Sequence, residues 1–177
     1  LAVFLALRRS GYASAAVGWY HPYCHVLPGH FDTCEWFPMD PPENRVLAGM
    51  QRHAQEAIGA LSLLVHEGLD EVLLTRAQLY AQRVQHVEAL RFIANRGAAA
   101  ASAMSAGLTY VHYPVPHPPE IGGLVQPGLD QEWSGLDGNL VLADQVLADL
   151  RAQLERDGLW DDMAVVITAD HVWPAVA

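Results

Sequence analysis

Three short apolar segments, separated from one another by longer helical patterns, most constrain the fold that this chain can adopt. They are ASAAVGW at 13–19, LTYVHY at 108–113 and AVVIT at 164–168. Small, β-branched and aromatic residues without an interior proline are typical of strands, and the last segment predicts a strand buried on both faces. Strands that alternate with helices favour a mainly parallel sheet flanked by helices, so the sequence predicts the α/β class.

Helical patterns account for most of the remaining sequence. The first ten residues predict a helix that ends at a turn around Gly11. Asp40-Pro41-Pro42-Glu43 has the residues of a helix start, and apolar residues then recur every three or four positions through a helical region at 44–97, with a break near Gly68. A last amphipathic helix over 140–154 stops before Gly158, whereas the Pro- and Cys-rich segment 21–42 is predicted to be ordered but irregular.

The charge balance limits the partners that the chain can bind. With 51% hydrophobic and 17% charged residues the chain is globular, and a net charge of −10 without a basic run argues against nucleic acid or an anionic membrane surface. A small anionic substrate would therefore need a bound cation. No apolar stretch long enough for a membrane span is present, and the absence of an initiating Met predicts that the chain starts inside a longer protein.

The two cysteines, Cys24 and Cys34, are too few for a disulfide scaffold. Two interpretations stay open, a single local bridge or two buried thiols. A bridge is compatible only with an exported protein, because cytosolic thiols stay reduced.

Each predicted strand is followed by a histidine, and these histidines are the candidate functional residues. His21 follows the first strand, His117 the second, and the pair Asp170-His171 the third. The carboxyl ends of parallel strands share one edge of a sheet, so we expect all of them at one site. Neutral imidazole and carboxylate together suit a divalent metal ion. Prolines on both sides of His117 restrict its backbone and hold its ring ready for a ligand or a proton.

A structural interpretation competes with this one, because nine histidines in 177 residues place some at strand ends by chance. Only the joint pattern is informative. Histidines inside predicted elements are interpreted as structural; these are His112 in a strand and His53, His66 and His86 in helices.

Three segments resemble motifs of the sulfatase branch of the alkaline phosphatase superfamily, in the same order. GYASAAVGWYHPYC at 11–24 is similar to GYxTxxxGKWH, and LTYVHYPVPHPP at 108–119 to FLYVxxxxPHxP. ADQVLADLRAQLERDGLWDDMAVVITADH at 143–171 is similar to DxxxGxxLxxLxxxGxxDxTxVxxTSDHG. The resemblance implies an alkaline phosphatase-like α/β domain that hydrolyses or transfers sulfate or phosphate esters at a divalent metal, either zinc, manganese or calcium. It covers most of the chain, but the helical region 44–97 matches loosely.

The resemblance also implies roles for particular residues. Asp170 and His171 correspond to metal ligands of the family. An Asp-His pair at this position is more familiar from phosphodiesterase-like members than from arylsulfatases. His117 corresponds to a histidine that contacts the anionic group and can protonate the leaving oxygen. His21 falls on the histidine of GKWH, which helps to activate or position the nucleophile.

The chain departs from the family in several positions. Trp19 stands where the family has a lysine, which removes a positive charge, and Val172 replaces the glycine after Asp-His. The amino-terminal aspartates and the nucleophile have no counterpart, so the 177 residues are expected to form one incomplete domain that does not turn over by itself. The alternative is a non-catalytic domain of the same fold with a decayed site. A third interpretation is an unrelated α/β protein.

Overall fold

The computed structural model of the chain describes residues 2–38, 68–125 and 135–169. Its elements in chain order are α1 (Ala2–Arg9), β1 (Ala13–Trp19), α2 (Tyr23–Val26), β2 (Thr33–Phe37), α3 (Gly68–Ser102), β3 (Gly107–Val111), α4 (Gly122–Val125) and α5 (Leu136–Arg156), followed by a 3-10 turn at Trp160–Asp162. Parallel strands with flanking helices confirm the predicted mixed α/β class.

The described strands form one parallel sheet in the order β2-β1-β3. Ala15 of β1 pairs with Thr33 of β2 on one side and with Thr109 of β3 on the other. As the central strand, β1 is buried from Ser14 to Trp19. All three strands run in the same direction, so their carboxyl ends lie on one edge of the sheet.

α3 packs on this sheet and is longer than the sequence predicts. The pattern predicts an end at Gly97, but the helix continues to Ser102 through a run of alanines, the strongest helix formers. A Cβ atom on Gly97 would lie 2.8 Å from Cγ1 of Val111 in β3. Gly97 therefore serves the close approach of helix and strand and does not end the helix.

Two apolar clusters make up the core of the described residues. Val17, Trp19 and Ile93 join the sheet to α3, with Phe37 and Phe92 packed against them.

The second cluster joins α3 to α5 through the loop that follows β3. Its buried members are Val87, Leu90, Val115, Ile121 and Leu142. This loop, which contains His117, is therefore fastened to the core by apolar residues on both sides of the histidine.

Several local predictions are confirmed. α1 is followed by Gly11 at a φ of 78°, and α5 ends shortly before Gly158 at a φ of 70°. Left-handed glycines at these positions end helices without a Cβ clash. β3 also follows the prediction, although it stops at Val111, two residues earlier than expected.

Two predictions about strands are wrong. The segment 21–42, predicted to be irregular, contains the short helix α2 and the strand β2. The segment 164–168 is not a strand and is not buried: Val166 is 86% exposed and Ile167 is 70% exposed. An apolar β-branched run becomes a strand only where it pairs with a neighbouring strand. Residues 163–169 form no such backbone pairing with another described strand.

A disulfide joins Cys24 in α2 to Cys34 in β2, so of the two interpretations of these cysteines the structure shows the bridge. The predicted helix start at Asp40-Pro41-Pro42-Glu43 and the first part of the helical region lie outside the described residues. Among the helices that the structure does describe, none is long and apolar enough to cross a bilayer.

Candidate functional site

Three histidines contact Trp19 at the carboxyl ends of β1 and β3, and a fourth stacks on one of them. We call His21, His86, His112 and His117 the imidazole cluster. Trp19, the last residue of β1, is 3% exposed, and its ring centroid lies 4.7 Å from that of His86, 5.6 Å from that of His117 and 6.1 Å from that of His112. The ring of His21 stacks on that of His112, with centroids 6.4 Å apart and an interplanar angle of 20°. The fold thus brings His21 and His117, both predicted site residues, into one group of rings.

His21 leaves β1 through a tight turn centred on Tyr20. The backbone N–H of His21 donates a hydrogen bond to the carbonyl oxygen of Trp19 over 2.7 Å, and Tyr20 has a φ of 64°. A backbone hydrogen bond between two residues that flank a single central residue defines a γ-turn, and a positive φ at the central residue gives its rarer form. The turn brings the exposed His21 to the edge of the sheet, two residues before the first residue of α2.

The loop that carries His117 is held by one buried side chain, Asn139 of α5. Its amide nitrogen Nδ2 lies within hydrogen-bonding distance of three carbonyl oxygens of the loop, at 3.3 Å from Pro116, 3.0 Å from His117 and 3.2 Å from Pro119. Its Oδ1 accepts the N–H of Ile121 over 3.0 Å. Asn139 is 1% exposed, so these bonds are shielded from water and fix the backbone around His117.

The hydrogen bonding of His117 determines which ring nitrogen faces the site. Nδ1 lies 2.7 Å from the carbonyl oxygen of Pro118. A carbonyl oxygen only accepts, so Nδ1 carries the proton of that bond and Nε2 is the nitrogen left for chemistry. In the neutral ring Nε2 accepts a proton, and in the charged ring it donates one.

His86 differs from the other three because it is almost completely buried. It is 2% exposed, and its Nε2 donates to the carbonyl oxygen of Pro114 over 2.9 Å. Burial lowers the pKa of His86, and the charge of the neighbouring His117 lowers it further, against the opposing effect of backbone hydrogen bonds. His86 is therefore a neutral ring that packs against Trp19, in agreement with its structural interpretation.

The sequence reasoning did not assign His112 to the site. The prediction placed it inside a strand, but β3 ends at Val111, so His112 lies just beyond the carboxyl end. The hydroxyl of Tyr23 lies 2.7 Å from Nδ1 of His112, and a second hydroxyl, that of Tyr110, lies 3.4 Å from that of Tyr23. The signal that could have revealed His112 is its position two residues after Tyr110, on the same side of an alternating strand.

Two features fix the position of Tyr23. A Cβ atom on Gly18 would lie 2.6 Å from Cε2 of the Tyr23 ring, so only glycine at this position leaves room for the ring against β1. The next residue, Cys24, is tied to Cys34 of β2 by the disulfide. The hydroxyl that meets His112 is thus carried by a short helix that a covalent bond fastens to the sheet.

Trp19 brings no positive charge to this site. Trp19 stands at the position of the lysine in the motif GKWH, and its indole N–H is buried and without a hydrogen-bond partner among the described residues. It can therefore neither carry a charge nor reach a ligand. The cluster exposes imidazoles instead, which are cationic only when protonated.

The predicted metal ligands, Asp170 and His171, lie outside the described residues. One carboxylate and one imidazole form a donor set that fits Zn²⁺ or Mn²⁺, and further ligands would have to come from other residues. Within residues 2–38, 68–125 and 135–169, no group of three or more His, Cys, Asp or Glu side chains is arranged to hold a metal ion.

Comparisons of the chain with protein-family models, with curated proteins and with solved structures found no match.

Proposed function

We propose that the chain is the central and later part of a metal-dependent hydrolase of sulfate or phosphate esters, of the sulfatase type with an alkaline phosphatase-like fold. The observation that carries the proposal is the imidazole cluster, in which His117 and His112 contact Trp19 and His21 stacks on His112, at the carboxyl ends of neighbouring parallel strands. Ligands of open parallel α/β sheets bind at this edge. The order of the three motif-like segments supports the same class.

In this proposal the side chains have separate roles. His117 presents Nε2 to the ester and protonates the leaving oxygen, because its Nδ1 is already engaged with the backbone. His21 positions or activates a nucleophile that sequence outside the 177 residues supplies. Asp170 and His171 hold a divalent ion, which screens the negative charge of the transferring group. Trp19 carries no charge at the position of the motif's lysine, so the ion and the exposed imidazoles together attract the anion.

Metal content of a gene product that includes sequence upstream of Leu1, the part expected to supply the further ligands, tests this assignment. The chain is loaded with Zn²⁺ or Mn²⁺, freed of excess ion and analysed by elemental mass spectrometry. We expect Asp170→Asn and His171→Ala to lose most of the bound metal, since each removes one ligand. Asp162→Asn, a matched change in the same part of the chain, and His117→Ala should keep it. A His171→Ala chain with full metal content would contradict the proposed metal site.

The role of His117 is tested by turnover, in a gene product that includes sequence upstream of Leu1. His117→Ala should lower the hydrolysis rate by roughly 10²–10⁴-fold, the usual contribution of a positioned general acid. The loss should be smallest for esters such as 4-nitrophenyl phosphate, whose leaving group needs no proton. An equal loss for good and poor leaving groups would remove the general-acid role.

A second candidate function is a domain of the same fold that binds an anionic ligand without cleaving it. Trp19 favours this candidate, because a buried indole at this position contributes no charge to stabilise a reacting ester. The two candidates differ in one measurable respect. A metal-loaded gene product that includes an upstream Cys, Ser or Thr nucleophile and still shows no turnover of any ester would support the binding domain.

A further inference from the structure

His112 has no role in the proposed reaction, although it belongs to the imidazole cluster. It is half-buried, directly after β3, and its ring lies beside those of Trp19 and His21. Two tyrosine hydroxyls form a chain that ends on this ring. The hydroxyl of Tyr23 lies 2.7 Å from Nδ1 of His112, and that of Tyr110 lies 3.4 Å from that of Tyr23. A hydrogen bond to one ring nitrogen determines where a neutral imidazole carries its proton.

The distances indicate that the hydroxyl of Tyr23 donates to His112. A tyrosine hydroxyl has one proton to donate, and it has two acceptors here, Nδ1 of His112 at 2.7 Å and the hydroxyl oxygen of Tyr110 at 3.4 Å. The nearer contact is the stronger hydrogen bond, and an imidazole nitrogen is more basic than a phenol oxygen. Nδ1 of His112 therefore accepts, and in the neutral ring the proton lies on Nε2.

His112 and His117 thus hold opposite tautomers. Nδ1 of His117 donates to the carbonyl oxygen of Pro118, which leaves Nε2 of its neutral ring as an acceptor. Nε2 of His112 carries a proton and is a donor. Anionic oxygens accept hydrogen bonds, so His112 can bind an anion while its ring is neutral.

The fold fixes Tyr23 by means other than core packing. No residue of α2 is buried, and this helix is four residues long. Its first residue, Tyr23, is instead held by the space that Gly18 leaves for its ring and by the disulfide of the adjacent Cys24. Both constraints act on the residue whose hydroxyl meets His112, as the orientation of a histidine at a site requires.

We infer that Tyr23 is a positioning residue that keeps the proton of His112 on Nε2, and that this N–H donates to an oxygen of the anionic group of the ester. The inference rests on the proposed function and adds two residues to it. His112 falls at a position that the motif FLYVxxxxPHxP leaves open, and Tyr23 lies beyond the end of GYxTxxxGKWH. Tyr23 acts through the imidazole and not on the ester itself.

Nitrogen NMR of the complete 177-residue chain, labelled with ¹⁵N-histidine, tests the tautomer. At high pH, with the ring neutral, we expect Nε2 of His112 to carry the proton. Tyr23→Phe keeps the ring against Gly18 but removes the hydroxyl, so part of the population should move to the form with the proton on Nδ1. Tyr110→Phe should keep the parental tautomer, because its hydroxyl is not the one that contacts the imidazole nitrogen. A parent with the proton on Nδ1 of His112 would overturn the inference.

Sulfate binding to a gene product that includes sequence upstream of Leu1 tests the role in the site, by isothermal titration calorimetry at two pH values. Sulfate keeps its charge over the range in which imidazoles titrate. With the ring of His112 neutral, Tyr23→Phe should weaken sulfate binding roughly 3- to 10-fold, because the ring then presents the Nε2 proton only part of the time. At lower pH, where the spectra show both ring nitrogens protonated, Nε2 donates in both proteins and the loss should fall below about twofold. A merely structural effect would give the same loss at both pH values.

Tyr12 provides a matched control, because it is exposed and lies directly before β1, at the opposite end of the strand from the imidazole cluster. Tyr12→Phe should leave the sulfate affinity unchanged at both pH values. Among the described residues, the titratable groups whose rings face His112 are Tyr23, Tyr110 and His21. Protonation of His21 affects the parent and Tyr23→Phe alike, so it cancels when the two are compared.

The inference is overturned if the parent does not bind sulfate, or if the loss of affinity in Tyr23→Phe does not depend on pH. Metal content of the same gene product reports on the proposed function separately. A failure of the tautomer or of the pH dependence therefore removes only the roles of Tyr23 and His112.

Discussion

Acidification should destabilise this fold through His86. The ring is 2% exposed, lies 4.7 Å from the Trp19 ring and donates from Nε2 to the carbonyl oxygen of Pro114. Burial is the main reason that the pKa of His86 lies below 6.5, and the charge of His117 acts in the same direction. To accept a second proton, the buried ring would have to carry a charge away from water.

The direction of the effect follows from proton linkage. Once the pH is below the unfolded pKa of 6.5, the unfolded chain binds a proton at this histidine that the folded chain does not bind. The free energy of unfolding therefore falls with falling pH, by about 1.4 kcal/mol per pH unit, until the folded pKa of His86 is reached. At pH 5 the loss has an upper limit of about 2 kcal/mol, and well above pH 6.5 it is absent.

Urea unfolding of the complete chain between pH 5 and pH 8 measures this loss. His86→Gln keeps an N–H donor for the Pro114 carbonyl and cannot titrate, so its free energy of unfolding should depend less steeply on pH than that of the parent. His25→Gln removes an exposed histidine and should keep the parental slope. Equal slopes for the parent and His86→Gln would refute the reasoning, whatever the two absolute stabilities are.

Three further predictions concern the parts that hold the site together. Alkylation and mass spectrometry of the unreduced chain should find no free thiol, and two alkylated thiols would contradict the bridge. Replacing Cys24 and Cys34 together by alanine should lower the free energy of unfolding by about 2–3 kcal/mol, as expected for a disulfide that closes a short loop. Asn139→Ala leaves the backbone groups of the His117 loop unpaired, so it should lower the free energy of unfolding in urea by about 2–4 kcal/mol. A loss below about 0.5 kcal/mol would show that other groups hold this loop. Tyr23→Phe removes the hydroxyl that lies at Nδ1 of His112, so it should lower the free energy of unfolding by about 0.5–1.5 kcal/mol and shift the ¹⁵N resonance of that nitrogen. An unchanged resonance would mean that the contact does not form in solution.

The local elements follow from the sequence because their signals are local. β1 is a run of small apolar residues that begins shortly after Gly11, the glycine that follows α1. α5 combines a helical apolar period with Gly158 beyond its end. Each signal depends on the backbone preferences of nearby residues, which act wherever the segment lies in the fold. The mixed α/β class follows from the order of such segments.

Other features depend on contacts between distant parts of the chain. β2 forms in a segment rich in Pro and Cys because it pairs with β1 and is tied to α2 by the disulfide, neither of which its own residues reveal. The run 164–168 shows the opposite case, since strongly β-forming residues remain exposed where no neighbouring strand pairs with them.

The candidate site shows the same division. The sequence by itself determined that His21 and His117 follow strands, because strand patterns and flanking prolines are readable residue by residue. Only the tertiary structure decided that His112 and Tyr23 meet over 2.7 Å, that Asn139 holds the His117 loop, and that Tyr20 stands at the edge of the cluster. These residues are separated by as many as 89 positions, and a contact over that distance exists only once the sheet has brought its strand ends together.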